Sequence, residues 1–157
     1  MKPLVPRLLL IFVLVLGSSA LGQSVGRQDG GMKCSLRTLS GDYGALIVGT
    51  EYLPNPPDQP IKVDLRTVSM GHYDGMGNYT GRDHVVFAGN PPEDEWRDSG
   101  GTYLVNSDCT GRLSIIPAPG FPPIIVHFVI VNNGKEVQGV TNGSAITYSA
   151  HRVKVDQ

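Results

Sequence analysis

The chain has 157 residues, of which 40% are apolar, and its 13 basic and 14 acidic residues give a formal net charge of −1. This length fits one domain behind a removable leader. The balanced charge, without a basic run, excludes proteins that bind nucleic acid or an anionic membrane by electrostatic attraction.

The N-terminus has the pattern of a secretory signal peptide. Lys2 and Arg7 precede an apolar run over residues 8–16, and Ala20-Leu21-Gly22 suits a signal peptidase. The run is shorter than the roughly 20 apolar residues of a membrane-spanning helix, so a retained anchor is the weaker alternative. We predict a signal peptide over 1–22, an N-terminal arm over 23–40 and a domain over 41–157, secreted to the extracellular space or periplasm.

The chain has two cysteines, Cys34 and Cys109. Export favours their oxidation to one disulfide, which would tie the N-terminal arm to the centre of the chain. A reactive free thiol is the alternative.

Short alternating apolar runs, separated by turn formers, dominate the domain. Of the 20 Gly and 12 Pro residues, two of each lie in the predicted signal peptide, and most of the remaining 18 and 10 fall between these runs and mark strand ends. The Asp74–Asn78 and Asn132–Gly134 segments suit tight turns, and Asn-Gly is a strong hairpin signal. Eight strands are predicted, at 43–52, 61–70, 79–87, 102–106, 112–116, 124–131, 135–140 and 145–155.

Sequential hairpins predict an all-β fold, an eight-stranded antiparallel up-and-down (meander) β-barrel, with a sandwich as the alternative. Connections then alternate between the barrel ends. The loops 53–60, 88–99, 117–123 and 141–144 share one rim, and the turns 71–78, 107–111 and 132–134 share the other. Both cysteines fall at the short-turn end, which agrees with the predicted disulfide.

Local motifs for catalysis or metal binding are weak. The four histidines lack the spacing of a local metal motif, so we predict neither a metal site nor a cofactor. Because side chains alternate between the two faces of a strand, four polar residues are predicted to point inward with their apolar neighbours: Asp83, Tyr103, Tyr148 and Arg152. A buried carboxylate needs a partner, and Arg152 or a tyrosine is the predicted partner of Asp83. The alternative to a catalytic or ligand-binding role is a cluster of hydrogen-bonded polar side chains that fills the barrel.

An eight-stranded barrel has a lumen that holds side chains or one small ligand. Trp96, Phe121 and Tyr52 are predicted to form an aromatic lip at the long-loop rim. The candidate ligand-binding residues are therefore Asp83, Tyr103, Tyr148, Arg152, Trp96 and Phe121.

Several segments resemble a family of small secreted bacterial proteins whose barrel is similar to the allene oxide cyclase-like one. The most specific is Gly101-Thr-Tyr-Leu-Val-Asn-Ser-Asp-Cys-Thr-Gly111. The other resembling segments are Cys34 with residues 41–44, residues 74–78, residues 128–131 with 134–136, and residues 150–152. The resemblance implies a barrel and a disulfide, and relatives of the barrel include cyclases that fold a hydrophobic substrate inside the lumen.

Two functions are expected. The first is a non-catalytic secreted barrel that binds a small hydrophobic molecule or serves as an extracellular interaction module. The second is a cyclase or isomerase that uses interior polar groups to orient and stabilise a hydrophobic substrate. Both ligand-based functions require an open lumen.

Overall fold

Eight strands in sequence order close into one barrel in the computed structural model, which describes residues 33–117 and 122–154. Each strand pairs antiparallel with the next, and β1 pairs with β8. The predicted meander barrel is therefore confirmed. The strands are β1 Gly41–Leu53, β2 Ile61–Tyr73, β3 Asn78–Phe87, β4 Arg97–Val105, β5 Thr110–Ile116, β6 Ile124–Val131, β7 Glu136–Thr141 and β8 Ala145–Arg152.

The alternation of strand direction sorts the connections into two groups, as predicted. At one end, called the mouth here, lie the connections 54–60, 88–96, 117–123 and 142–144. At the other end, called the base, lie 74–77, 106–109 and 132–135. The long proline-bearing connections therefore surround the mouth, except that residues 118–121 lie outside the described part of the chain.

The strand β4 begins five residues earlier than predicted, at Arg97 rather than at residue 102. Its first half contains Gly100 and Gly101, which lower intrinsic strand propensity. Pairing with β3 overrides that propensity, because Asp83 faces Arg97 and Tyr79 faces Gly101 in the register. The loop predicted over 88–99 is correspondingly shorter.

The predicted disulfide between Cys34 and Cys109 is present at the base. It is reinforced by backbone bonds, since the Cys34 N–H donates to the Ser107 carbonyl at 3.2 Å and the Ile130 N–H donates to the Cys109 carbonyl at 2.8 Å. The disulfide positions a short 3-10 helix, Leu36–Leu39, which was not predicted. Leu39 is fully buried there and closes the base of the barrel.

The turn of the β6–β7 hairpin packs against this 3-10 helix. The hairpin is confirmed, and its turn holds three successive residues at positive φ: Asn132, Asn133 and Gly134. A Cβ at position 134 would lie 2.5 Å from the Thr38 carbonyl oxygen, so the close approach of turn and helix requires glycine. The Gly134 carbonyl also accepts a hydrogen bond from the Tyr43 hydroxyl.

Tyrosines fill the base half of the lumen. Five of them are buried, Tyr43, Tyr73, Tyr79, Tyr103 and Tyr148. The Tyr73 ring is central, with ring centroids of Tyr43, Tyr79 and Tyr103 at 5.3, 5.1 and 5.0 Å in edge-to-face contacts. Such contacts are favourable beyond the area they bury. The base half of the barrel is therefore packed.

Candidate functional site

The mouth half of the lumen is a cavity of about 780 Å³. Its walls are the inward faces of the strands above the tyrosines, and its rim is formed by prolines of the 88–96 and 117–123 connections. Most of the wall is apolar, with Ile47, Leu65, Val85, Phe87, Ile115 and Ile146. The cavity has the size and the apolar lining typical of small-molecule sites, which occupy roughly 300–1,000 Å³.

Period-two alternation produces this wall. On β2, Val63 and Thr67 are buried while Asp64 and Arg66 are exposed. On β3, Asp83, Val85 and Phe87 line the cavity, as predicted from parity.

The main polar feature of the wall is an ion pair between Asp83 and Arg97. The Arg97 Nε donates to Asp83 Oδ1 at 2.9 Å. The Asp83 side chain is 16% exposed and that of Arg97 is 35% exposed, so the pair lies at the cavity surface rather than in open water. The register places both residues directly opposite each other on neighbouring strands.

The partner of Asp83 is therefore Arg97, and the prediction of Arg152 was wrong. Arg152 is exposed at the base, where its guanidinium lies 5.5 Å from the centroid of the Tyr43 ring and donates to the Ser40 carbonyl. Arg152 does not line the cavity, because it is the last residue of β8 and lies at the base, the opposite end of the barrel.

Tyr148 forms the floor of the cavity. Its side chain lines the cavity, and its hydroxyl lies 3.2 Å from the Tyr73 hydroxyl. Burial raises the pKa of Tyr148 to about 12, so the hydroxyl stays neutral well above its ordinary titration range. Tyr103 lies deeper, at the base, where its hydroxyl donates to the Leu36 carbonyl at 3.1 Å, and it does not line the cavity.

The predicted aromatic lip is not formed by Trp96 and Tyr52. Trp96 is 44% exposed and its ring lies 6.0 Å from the His84 ring, away from the cavity. Tyr52 is also exposed, with the Lys62 Nζ 6.0 Å from its ring centroid. Phe121 lies outside the described residues.

Glu51 and Arg97 are cavity residues that the sequence reasoning missed. Glu51 carried a usable signal, because it alternates with Tyr52 and follows Ile47 at even spacing on β1. Arg97 carried none, since it falls in a segment whose composition resembles a loop.

The outer wall carries another depression, of about 890 Å³, beside Leu104, His127 and Val140. It is open to solvent along the strands, whereas the cavity in the lumen is enclosed by the barrel. The lumen is therefore the stronger candidate for holding a small molecule.

In residues 33–117 and 122–154, no group of three or more His, Cys, Asp or Glu side chains is arranged to hold a metal ion. No helix among these residues has the length and apolar character of a membrane span.

The fold and the cavity define a class of protein: a small disulfide-bonded meander barrel whose lumen is packed at one end and open at the other. Comparison of the chain with protein-family models, with curated proteins and with solved structures finds no match. The resemblance to the allene oxide cyclase-like barrels therefore stays a prediction.

Proposed function

We propose that this protein is a secreted, non-catalytic barrel that binds one small, mostly apolar molecule in the mouth cavity. The observation that carries the proposal is the half-filled lumen. Five buried tyrosines close the base, and an apolar cavity of about 780 Å³ opens at the mouth. An apolar molecule in this cavity loses contact with water, which is the main source of binding free energy for such sites.

The polar groups of the cavity suit recognition of one polar end of the ligand. Asp83 is held by Arg97, so a ligand meets a compensated ion pair with free donor and acceptor positions rather than an isolated base. The Tyr148 side chain, whose hydroxyl lies 3.2 Å from that of Tyr73, adds a neutral polar group at the floor. Few polar groups in an apolar wall give orientation without a large desolvation cost.

Export is supported by two features. The signal-like segment over 1–22 precedes the barrel in the sequence. The Cys34–Cys109 disulfide is of the kind that persists in oxidising compartments.

Binding of the neutral apolar fluorophore N-phenyl-1-naphthylamine tests the proposal, because its emission rises in an apolar site. We expect saturable binding to the full mature chain. Val85→Trp places an indole inside the cavity and should weaken binding by about tenfold or more, because it displaces ligand volume.

The matched control is Val86→Trp, the next residue along β3, which alternation turns to the outer wall. It should bind as the unmodified protein does. If the fluorophore does not bind, or if both variants weaken it equally, the ligand-binding proposal is contradicted and an interaction module becomes the better explanation.

A cyclase or isomerase is the second candidate. The Asp83–Arg97 pair favours it, since charged groups at the surface of an enclosed apolar cavity stabilise developing charge strongly. Native mass spectrometry of protein purified from its own source would reveal a retained molecule as added mass. Conversion of that molecule on incubation, lost in Asp83→Asn, would establish the enzyme; recovery of the unchanged molecule supports the non-catalytic function.

A further inference from the structure

The charges of the cavity indicate what kind of polar end its ligand carries. Among residues 33–117 and 122–154, three charged side chains line the cavity: Glu51, Asp83 and Arg97. Two carboxylates and one guanidinium leave the cavity with an excess of one negative charge. This excess distinguishes the site from one built for fatty acids, which would present excess positive charge to a carboxylate.

The uncompensated charge is that of Glu51. Arg97 donates its Nε to Asp83 at 2.9 Å, so those two charges largely cancel. Within residues 33–117 and 122–154, no hydrogen bond or ion pair joins the Glu51 carboxylate to another side chain. Glu51 is only partly exposed and lies near the mouth end of β1. A carboxylate in a half-apolar environment is stabilised by a cationic partner.

The connections that frame the mouth carry charge of the same sign. The segments 54–60, 88–96, 117–123 and 142–144 contain Asp58, Glu93, Asp94 and Glu95, and they contain no Lys or Arg. The connections at the base, 74–77, 106–109 and 132–135, differ, because they carry Lys135 together with two acidic residues, Asp74 and Asp108. An opening lined by one sign of charge concentrates ligands of the opposite sign.

We propose that the ligand is a cationic amphiphile, an apolar body that carries an ammonium group, and that Glu51 binds the ammonium. This inference rests on the proposed binding function. The apolar part occupies the wall formed by side chains such as Leu65, Val85 and Ile146, and the ammonium lies toward the mouth beside Glu51. The acidic connections accelerate its entry.

Competition against bound N-phenyl-1-naphthylamine at neutral pH tests the proposal with three probes of equal chain length: decylammonium, decanol and decanoate. We expect decylammonium to compete at about tenfold lower concentration than decanoate, with decanol between them, because a single partly desolvated charge pair contributes on this scale. The advantage of decylammonium should shrink as salt concentration rises.

Glu51→Gln keeps the shape of the side chain and removes its charge. It should reduce the preference for decylammonium over decanoate to about threefold or less while leaving decanol competition unchanged. Glu136→Gln is the matched control, since it makes the same substitution on β7 beside the base, outside the cavity, where Gln138 donates to Glu136 at 2.8 Å. It should leave all three probes unaffected.

The outcomes distinguish a failure of the cationic-ligand inference from a failure of the proposed binding function. If all three probes compete but decylammonium has no advantage, or keeps its advantage in Glu51→Gln, the cationic ligand is ruled out and the binding cavity stands. If neither the fluorophore nor any probe binds, the proposed function itself fails.

Discussion

Gly71→Ala tests whether the tyrosine packing at the base holds the barrel together. Gly71 and Gly81 face each other across β2 and β3, and the Tyr79 ring lies over both. A Cβ at position 71 would lie 2.5 Å from Tyr79 Cε2 and 2.9 Å from Cζ. Tyr79 is 4% exposed and packs edge-on against Tyr73, so it cannot simply swing away.

The expected cost follows from this overlap. Nonbonded carbon atoms are most stable at about 3.5–4.0 Å, so the ring would have to move by about 1 Å within a close-packed core. Overpacking of this kind costs about 1–3 kcal/mol. Against it stands a gain of about 0.5–1 kcal/mol, because alanine loses less backbone entropy than glycine on folding. The two ranges combine to a net destabilisation of about 0–2.5 kcal/mol for Gly71→Ala, centred on about 1 kcal/mol.

Urea unfolding followed by tyrosine fluorescence measures the change in the free energy of unfolding. Gly100→Ala is the control, because its Cβ would meet nothing closer than the Tyr79 carbonyl oxygen at 3.8 Å, and it should be neutral or slightly stabilising. In a Tyr79→Ala background, Gly71→Ala should lose its cost. The reasoning is refuted if Gly71→Ala is no more destabilising than Gly100→Ala, or if its cost persists without the Tyr79 ring.

Three further predictions concern the disulfide and the buried hydroxyls. Replacing Cys34 and Cys109 together by serine should lower the free energy of unfolding by about 4 kcal/mol, because the disulfide closes a loop with a sequence separation of 75. Urea unfolding measures this loss. A loss below about 1 kcal/mol would contradict the chain-entropy argument. Tyr73→Phe and Tyr148→Phe should each cost about 1–2 kcal/mol, since each leaves the other buried hydroxyl without its partner at 3.2 Å, and the double variant should cost less than the sum; strict additivity would show that the hydroxyls do not interact. Burial raises the pKa of Tyr148 to about 12 and raises that of Tyr73 well above its ordinary value, whereas both ionise near 10 in the unfolded chain. Their contribution to stability is complete below about pH 10 and is lost as pH rises toward the folded-state pKa. The urea concentration at the midpoint of unfolding should therefore fall over that pH range. A midpoint that does not change with pH would argue against buried neutral tyrosines.

The strand order was predictable because its signals are local, and the disulfide was predictable because an exported chain with two cysteines has one possible pairing. Alternation of Val63 and Leu65 with Asp64 marks a strand with one dry face, and Asn-Gly at 133–134 marks a hairpin. Eight such strands joined by hairpins have few ways to protect their edges other than closure. The inward orientation of Asp83 followed from the same period of two.

The composition of the candidate site was only partly predictable. Asp83 and Tyr148 line the cavity as expected. Arg97 also lines it, because pairing with β3 extends β4 into a glycine-containing segment that was predicted to be a loop. Trp96 was expected to form an aromatic lip, but its ring packs against His84 and does not line the cavity. Loop side chains have no periodicity, so sequence offers no rule for the face on which they lie.

The amino-acid sequence by itself determined the number of strands and their order, because turn chemistry and alternation act over a few residues. It also determined the cysteine pairing, because the chain has two cysteines. Tertiary structure alone decided how the lumen is divided. Side-chain contacts across the barrel produce the tyrosine packing at the base, the Asp83–Arg97 pair and the cavity at the mouth. These contacts depend on the strand register and on closure of the whole barrel.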